Sequence, residues 1–512
     1  MKRGAALLFL LALLCPSRME GHIGSPDIFY DGLVGAYRTH ITIRMPGVVP
    51  GRAEIIVQVR TDKAVSVSFA PIFSKTAVSN APPAEVAQPV AGETNLFSGE
   101  LWLMTDGAYS ISVRVKGKAG DGVVQIPVDS IATRQLPLPP WLGGALLALG
   151  LVLFCGGIAI VAAAAGESVM PPEAVAGSPQ QRRYWTAAVS TTAILALALF
   201  GGWKWWMAEE ANFRSRLLEG GWPDLTAEVR INGSQRILGL TLNWDGKREL
   251  ALDHGKLLHL FLVRQPNRDA FAHLHPIRTG DKTFDVALPP LPEGNYEVLC
   301  DLTLAEGFSS TATNIVHIPA IPLHPDDAKL IKADPDDSWA ADPIVVARDS
   351  AGSNTICQLP GGDQVVWMAH PALRAQHDAG LRFKVWDESG KPVALEPYMG
   401  MMSHSAVLRA DGRVFSHLHP SGNYSMAARM VFDAKMAREV GAEAICGPDG
   451  IPLKSAEDHL KLAQVMQPID GGDEPSVINL PYEFPTAGNY RLWVQIKTGG
   501  LVKTAIFDAT VL

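Results

Sequence analysis

Three stretches of the chain carry strong patterning of apolar and polar positions. In the first, His40-Ile-Thr-Ile-Arg44, Ala53-Glu-Ile-Ile-Val-Gln-Val-Arg60, Ala64-Val-Ser-Val-Ser-Phe69 and Tyr109-Ser-Ile-Ser-Val-Arg-Val115 alternate with period two, with Gly and Pro between them. Alternation turns one face of each strand to a core and the other to water. Residues 22–138 are therefore expected to form an antiparallel β-sandwich, with Ala77–Glu93 as a loop.

In the second stretch the apolar positions are unbroken. Residues 141–165 and 186–206 are each long enough to cross a bilayer as a helix, and the second ends in Trp203, Trp205 and Trp206, as at a membrane interface. Between them, loop 166–184 carries Arg182 and Arg183, which favours a cytoplasmic loop. Neither span contains an acidic residue or a histidine, so both read as anchors. Met1-Lys2-Arg3 before Ala5–Leu14 reads as a signal peptide over 1–21. The expected location is a bacterial inner membrane, with the regions on either side of the spans in the periplasm. Cleavage after Gly21 would expose His22 as an amine and imidazole chelator for copper, helped by His40. An ordinary surface histidine is the simpler reading.

The third stretch contains one pattern twice: a histidine, an apolar run, a polar turn, an aromatic residue, and then His-Leu-His-Pro. The copies run from His259 to His273-Leu-His275-Pro276 and from His404 to His417-Leu-His419-Pro420. Further echoes are Trp244-Asp-Gly-Lys with Trp386-Asp-Glu-Ser-Gly-Lys, and Gly294-Asn-Tyr296 with Gly488-Asn-Tyr490. They define two copies of one β-domain, 222–319 and 344–512, joined by a linker over 320–343. The second copy holds an insertion over 421–478, whose start at Ser425–Met436 has helical character. The fold class expected is mainly β: several immunoglobulin-like antiparallel sandwiches plus two transmembrane helices.

The histidines carry the candidate chemistry. Side chains on a strand alternate faces, so both rings of His-x-His point the same way. A hairpin about Asp411-Gly412 sets Ala410 opposite Arg413, hence His404 opposite His419, with His417 diagonal on the same face. Each copy thus gathers three imidazoles: His259, His273 and His275, and His404, His417 and His419. Imidazole suits copper, zinc and nickel, and thioether favours cuprous ion. The competing reading is a strand end whose rings bond backbone or face water; the duplication favours metal. Met399, Met401 and Met402 precede only the second site. On a regular strand Met402 would share a face with His404 and complete a three-nitrogen, one-sulfur set, unless these methionines fill the core. Trp244 and Trp386 read as core. Asp253 with His254 reads as a solvated loop, or as a pair supporting the ligands from behind.

The net charge of −8 gives no basic footprint for nucleic acid. Of five cysteines, Cys15 lies in the signal and Cys155 in a span. Cys300 reads as a buried thiol, and a Cys357–Cys446 bond is expected in an oxidising compartment. Neither a CxxC motif, nor a phosphate loop, nor a nucleophile elbow occurs in the sequence.

The segments Leu258–Val263 with Phe271–Pro276, Leu395–His404 with Phe415–Pro420, and Gly488–Ile496 resemble YtkA-like and FixH-like periplasmic β-sandwich domains of membrane-anchored bacterial proteins. Pro50–Val59 and Asp106–Val113 resemble them more weakly. That resemblance implies copper handling or oxidase assembly. The function expected is a membrane-anchored periplasmic protein that binds copper, with zinc as the alternative metal, for delivery or tolerance. A metal-free envelope scaffold contacting other proteins is the second reading. A metal-dependent enzyme ranks last, because no general acid or base stands at a recognisable spacing from the histidines.

Overall fold

The structure is a computed structural model. It describes residues 27–60, 64–133, 138–168, 170, 174–219, 223–232, 235–244, 248–320, 334–341, 346–348, 354–368, 371–440 and 475–512. The signal peptide, His22 and Cys446 lie outside the described residues. The chain forms two compact units, residues 135–220 and the remainder, and each is taken by itself.

The smaller unit is a pair of helices, Pro140–Glu167 and Ser178–Glu219. Both are long and apolar enough to cross a membrane. A Cβ on Gly166 would lie 3.3 Å from the Cβ of Tyr184, so a small residue lets the helices approach there.

The larger unit is built from antiparallel sheets stacked in pairs. The N-terminal domain has one sheet centred on Tyr37–Arg44 and Gly51–Val59 and a second on Ala64–Phe73 and Gly107–Gly117. Ile41, Ile43, Ile55 and Val57 of the first sheet pack with Val67, Phe69, Ile111 and Val113 of the second. These are the inward positions of the alternating runs. The expected loop at Ala77–Glu93 holds two short strand pieces that cap different sheets: Val86 pairs with Ser68, and Pro89 with Phe97.

Each repeat is likewise a pair of sheets. In the first, His259–Arg264 lies between Gly294–Thr303 and Phe271–Leu274; in the second, His404–Arg409 lies between Gly488–Thr498 and Phe415–Leu418. Leu260, Leu262, Val298 and Cys300 face the first repeat's own core, while Val407, Leu418, Leu492 and Val494 face the second's. The opposite faces of these same strands meet each other. Phe261, Val263, Phe271 and Leu299 of one repeat and Ala406, Leu408, Phe415 and Trp493 of the other form a single buried layer. Burial on both faces explains why His-Leu-Phe-Leu-Val is continuously apolar and does not alternate.

Trp493 is fully buried in that layer and stacks on Phe271, with centroids 4.7 Å apart and planes at 11°. Trp493→Ala is expected to cost about 3–5 kcal/mol, as deletion of a large buried aromatic does. A marked drop in the melting temperature of the purified protein is the readout; an unchanged melting temperature would show that the layer does not hold the repeats together.

One sequence expectation changes here: the linker contributes a strand, Ser338–Ala340, which adds to the edge of Phe271–Leu274. The insertion starts with a helix, as expected, over Met426–Val440, and this helix ties the unit together. Phe432 enters the first repeat's core and Met426 that of the N-terminal domain, and Lys435 Nζ donates to Ser74 O at 2.7 Å. Just before it, Asp31 N donates to Ser421 O (2.9 Å) and Phe29 N to Asn423 Oδ1 (2.8 Å). Gly422 is required at this junction. Its φ is +139°, and an added Cβ would lie 1.9 Å from Phe29 O. Residues 441–474 of the insertion lie outside those described.

Cys357 is a free thiol, fully buried, whose sulfur accepts the Ile506 N–H at 3.4 Å. Cys446, its expected partner, lies outside the described residues. Cys300 is a buried thiol, as expected.

Candidate metal centre

The hairpin register follows the sequence expectation. Ser405 pairs with Leu418 and Ala406 with His417, which continues to His404 opposite His419. The loop is wider than a two-residue turn: Arg409 N donates to Val414 O and Gly412 N to Arg409 O. In the first repeat Leu260 pairs with Leu274 and Phe261 with His273, giving the same placement of three rings.

Because the histidine faces of the two repeats meet, the two expected sites form one cluster. Rings of different repeats stand close: His259 and His417 at 5.3 Å, His273 and His417 at 5.5 Å, and His273 and His404 at 6.4 Å between centroids. Within a repeat the spacings run from 4.4 Å for His417–His419 to 5.6 Å for His404–His417, so the two ranges overlap.

A seventh ring joins them. His254 is buried, 5.0 Å from His404 and 5.1 Å from His419. The reading of Asp253–His254 as a solvated loop is thus corrected. His254 sits in a tight turn, Asp253–Lys256, in which Asp253 N donates to Lys256 O and Lys256 N to Asp253 O. The second repeat makes the same turn at Tyr398–Met401. The central residues have φ of +51° and +81° at His254-Gly255, and +48° and +77° at Met399-Gly400. In each repeat the turn's first central residue lies five positions before the first histidine of the motif. Aligning the repeats on His259 and His404 would have singled out His254 and Met399 together.

Potential ligand atoms lie within 4.8 Å of one another in two all-histidine triads: His254, His404 and His419, and His259, His273 and His275. The first triad crosses between repeats. His417, expected in the second repeat's own triad, stands between the two. Met402 packs against the second repeat's inner core, with Val407 and Val494, on the face opposite His404. The strand begins at His404, so the alternation that would align Met402 with it does not extend back to residue 402. Met401 enters the N-terminal domain's core, and Met399 is buried at its turn. His40 lies beside Asp31 on the N-terminal sheet.

The rings are oriented from behind. His275 Nδ1 meets Asp337 Oδ1 at 2.9 Å, from the segment expected to be linker, which leaves Nε2 free to face the cluster. Support also crosses between repeats. Gln495, opposite His404 in the sheet, meets His273 Nδ1 at 2.8 Å. Asp301, opposite His259, stands 3.5 Å from His417 Nδ1. His259 bridges inward, Nδ1 to His273 Nε2 at 3.1 Å and Nε2 to Asp253 O at 3.2 Å. That inward spacing is close to the ~3.3 Å between nitrogens on a tetrahedral ion bound at ~2.0 Å.

Burial, then the neighbouring rings, hold these imidazoles neutral. His254 is pushed down to about 3 and His259 to about 4, and His273, His275, His404 and His419 fall well below the ordinary value. Neutral imidazole is the metal-binding form. Seven ring nitrogens are buried without a partner: Nε2 of His254, His275 and His417, and both nitrogens of His404 and His419. Asp253 Oδ1 does not satisfy His254 Nε2, since 3.5 Å is too long for a good hydrogen bond. At about 1–3 kcal/mol for each unmet polar group, the cost rivals the whole net stability of a domain. Cations converging on these lone pairs would offset it. The donor set fits a copper or zinc ion in each triad.

The shifts set a pH dependence for the metal-free protein. Folded values lowered below the unfolded 6.5 give stability that is present above 6.5 and lost as pH falls towards 4 and below. Asp27, raised to about 6, and Asp337, raised to about 7, both chiefly by burial, oppose this: their stability is present below 3.8 and lost as pH rises through 6–7. Six lowered histidines outnumber by one the raised carboxyls Asp27, Asp129, Glu297, Asp337 and Asp433. Each net proton is worth about 1.4 kcal/mol per pH unit. Chelator-treated protein is therefore expected to lose stability from pH 6.5 to 4, measured by thermal unfolding. A flat profile would mean the rings are solvated.

A domain family described as Domain of unknown function (DUF8832) matches residues 360–442, which includes the second histidine hairpin. No curated protein matches the chain. Among solved structures, the chain is similar to dimeric latent PorU from Porphyromonas gingivalis, at 9% identity and a TM-score of 0.15, over 95% of this chain and 34% of that one. It is similar to Escherichia coli alpha-2-macroglobulin activated by porcine elastase at 9% and 0.18, over 92% and 44%. A putative membrane anchored protein from Corynebacterium diphtheriae aligns at 8% and 0.13, over 94% and 95%. At these scores the likenesses carry no argument about function.

Proposed function

We propose that this is a membrane-anchored metal-binding protein of the bacterial envelope, whose repeats together hold two metal ions, copper by preference, for delivery or tolerance. One observation carries the reading: two triads of buried, neutral imidazoles share a chamber with seven unpartnered ring nitrogens. An all-nitrogen donor set suits copper and zinc alike; copper is preferred on the resemblance of the repeats to YtkA-like and FixH-like domains. The two apolar helices would anchor the chain in the inner membrane, with the β-domains in the periplasm. The experiment is elemental analysis of full-length protein purified in detergent after growth with copper and with zinc. About two equivalents per chain are expected. Protein that holds no metal, and takes none up when metal is supplied, would favour a scaffold whose chamber holds water.

A further inference from the structure

A polar cavity of about 140 Å³ lies against the ring cluster, with room for several waters. All three domains of the larger unit line it. Asp129 comes from the N-terminal domain, Asp253, Asp301 and Ser310 from the first repeat, and His417 and His419 from the second. The Asp301 side chain is 22% exposed and that of His417 11%, so the cavity reaches solvent on this side. At its inner end the Ser310 hydroxyl, Asp253 Oδ1 and His417 Nε2 are buried without partners. Burial pushes the Asp129 carboxyl well above its ordinary range, and Asp253 and Asp301 are the cavity's other carboxyl groups.

His417 has a distinct place in this arrangement. It belongs to neither triad, yet its ring lies 4.4 Å from His419, 5.3 Å from His259, 5.5 Å from His273 and 5.6 Å from His404. With His259 and His419 it lines the cavity, and of these three only His417 lies outside both triads.

We infer that the cavity is the loading route for the metal ion, with Asp301 and His417 as its inner step. This rests on the metal-binding reading of the cluster. A hydrated cation is drawn towards Asp253 and Asp301 and sheds water for the hydroxyls and the His417 imidazole. It then passes to the triad on either side. His417 is a transfer ligand, whereas the six triad histidines are resident ones.

The test is stopped-flow loading of full-length protein in detergent with cuprous ion released from a chromophoric chelate, followed by elemental analysis at completion. Asp301→Asn keeps the side-chain shape and the acceptor for Thr311 Oγ1, which donates at 2.6 Å. Ser310→Val removes an unpartnered buried hydroxyl and adds a methyl to the cavity, on a strand where Val is well suited. Both variants, and His417→Gln, are expected to load at least tenfold more slowly while reaching the wild-type stoichiometry. Loading at the wild-type rate in all three would overturn the route. Loss of an equivalent in His417→Gln would overturn its transfer role and make it a resident ligand. Wild-type protein that takes up no cuprous ion would instead overturn the metal reading itself.

Discussion

His404→Ala is expected to remove one of two bound metal equivalents and His273→Ala the other. Each ring is fully buried, and each belongs to a different triad. The effect on the fold should be small without metal and large with it. Without metal, His404→Ala deletes two unpartnered nitrogens, which offsets much of the cavity it leaves. With metal, it forfeits the stabilisation by binding, about 4 kcal/mol for a site filled at a thousand times its Kd. The variant should therefore melt close to wild type in chelator but far below it in metal. His317→Ala supplies the control, since His317 is 58% exposed beside Glu293 and belongs to neither triad. Retention of two equivalents by His404→Ala would sink the assignment.

The second large effect concerns charge. Ions held by the two triads would stand about as far apart as their facing rings, 6.1 Å for His254–His259 and 6.4 Å for His273–His404. At an effective dielectric of about 20, two dications at that distance repel by about 11 kcal/mol and two monocations by about 3 kcal/mol. The surrounding carboxylates Asp253, Asp301 and Asp337 relieve only part of this. Titration against a competing chelator should show two cuprous equivalents of similar affinity. The second zinc equivalent should bind at least a hundredfold more weakly than the first. Two zinc ions of equal affinity would show that the triads do not share one chamber, or that an anion bridges them.

These expectations differ from those that follow from two separate sites, and the difference lies in which surfaces meet. Strand periodicity and the Asp411-Gly412 turn set the register of each hairpin, so three converging rings in each repeat were legible locally. The repeat itself was legible from the two His-Leu-His-Pro motifs. The unbroken apolar runs Leu260–Val263 and Ala406–Leu408 also carried a signal, for they fit strands covered on both faces, and the second cover is the other repeat.

By itself, then, the sequence determined a mainly β chain with two apolar helices, its duplicated domain, and six of the seven clustered histidines. Those features depend on contacts between residues near in sequence, where side-chain alternation and turn chemistry decide. Tertiary structure decided the rest. It brought His254 across to His404 and His419, set His417 between the triads, turned Met402 into the core, and carried Asp337 from an expected linker to His275. Each of these depends on two distant segments packing face to face. Burial of Phe261, Phe271, Phe415 and Trp493 in one shared layer fixes that packing, and no local pattern encodes which face meets which.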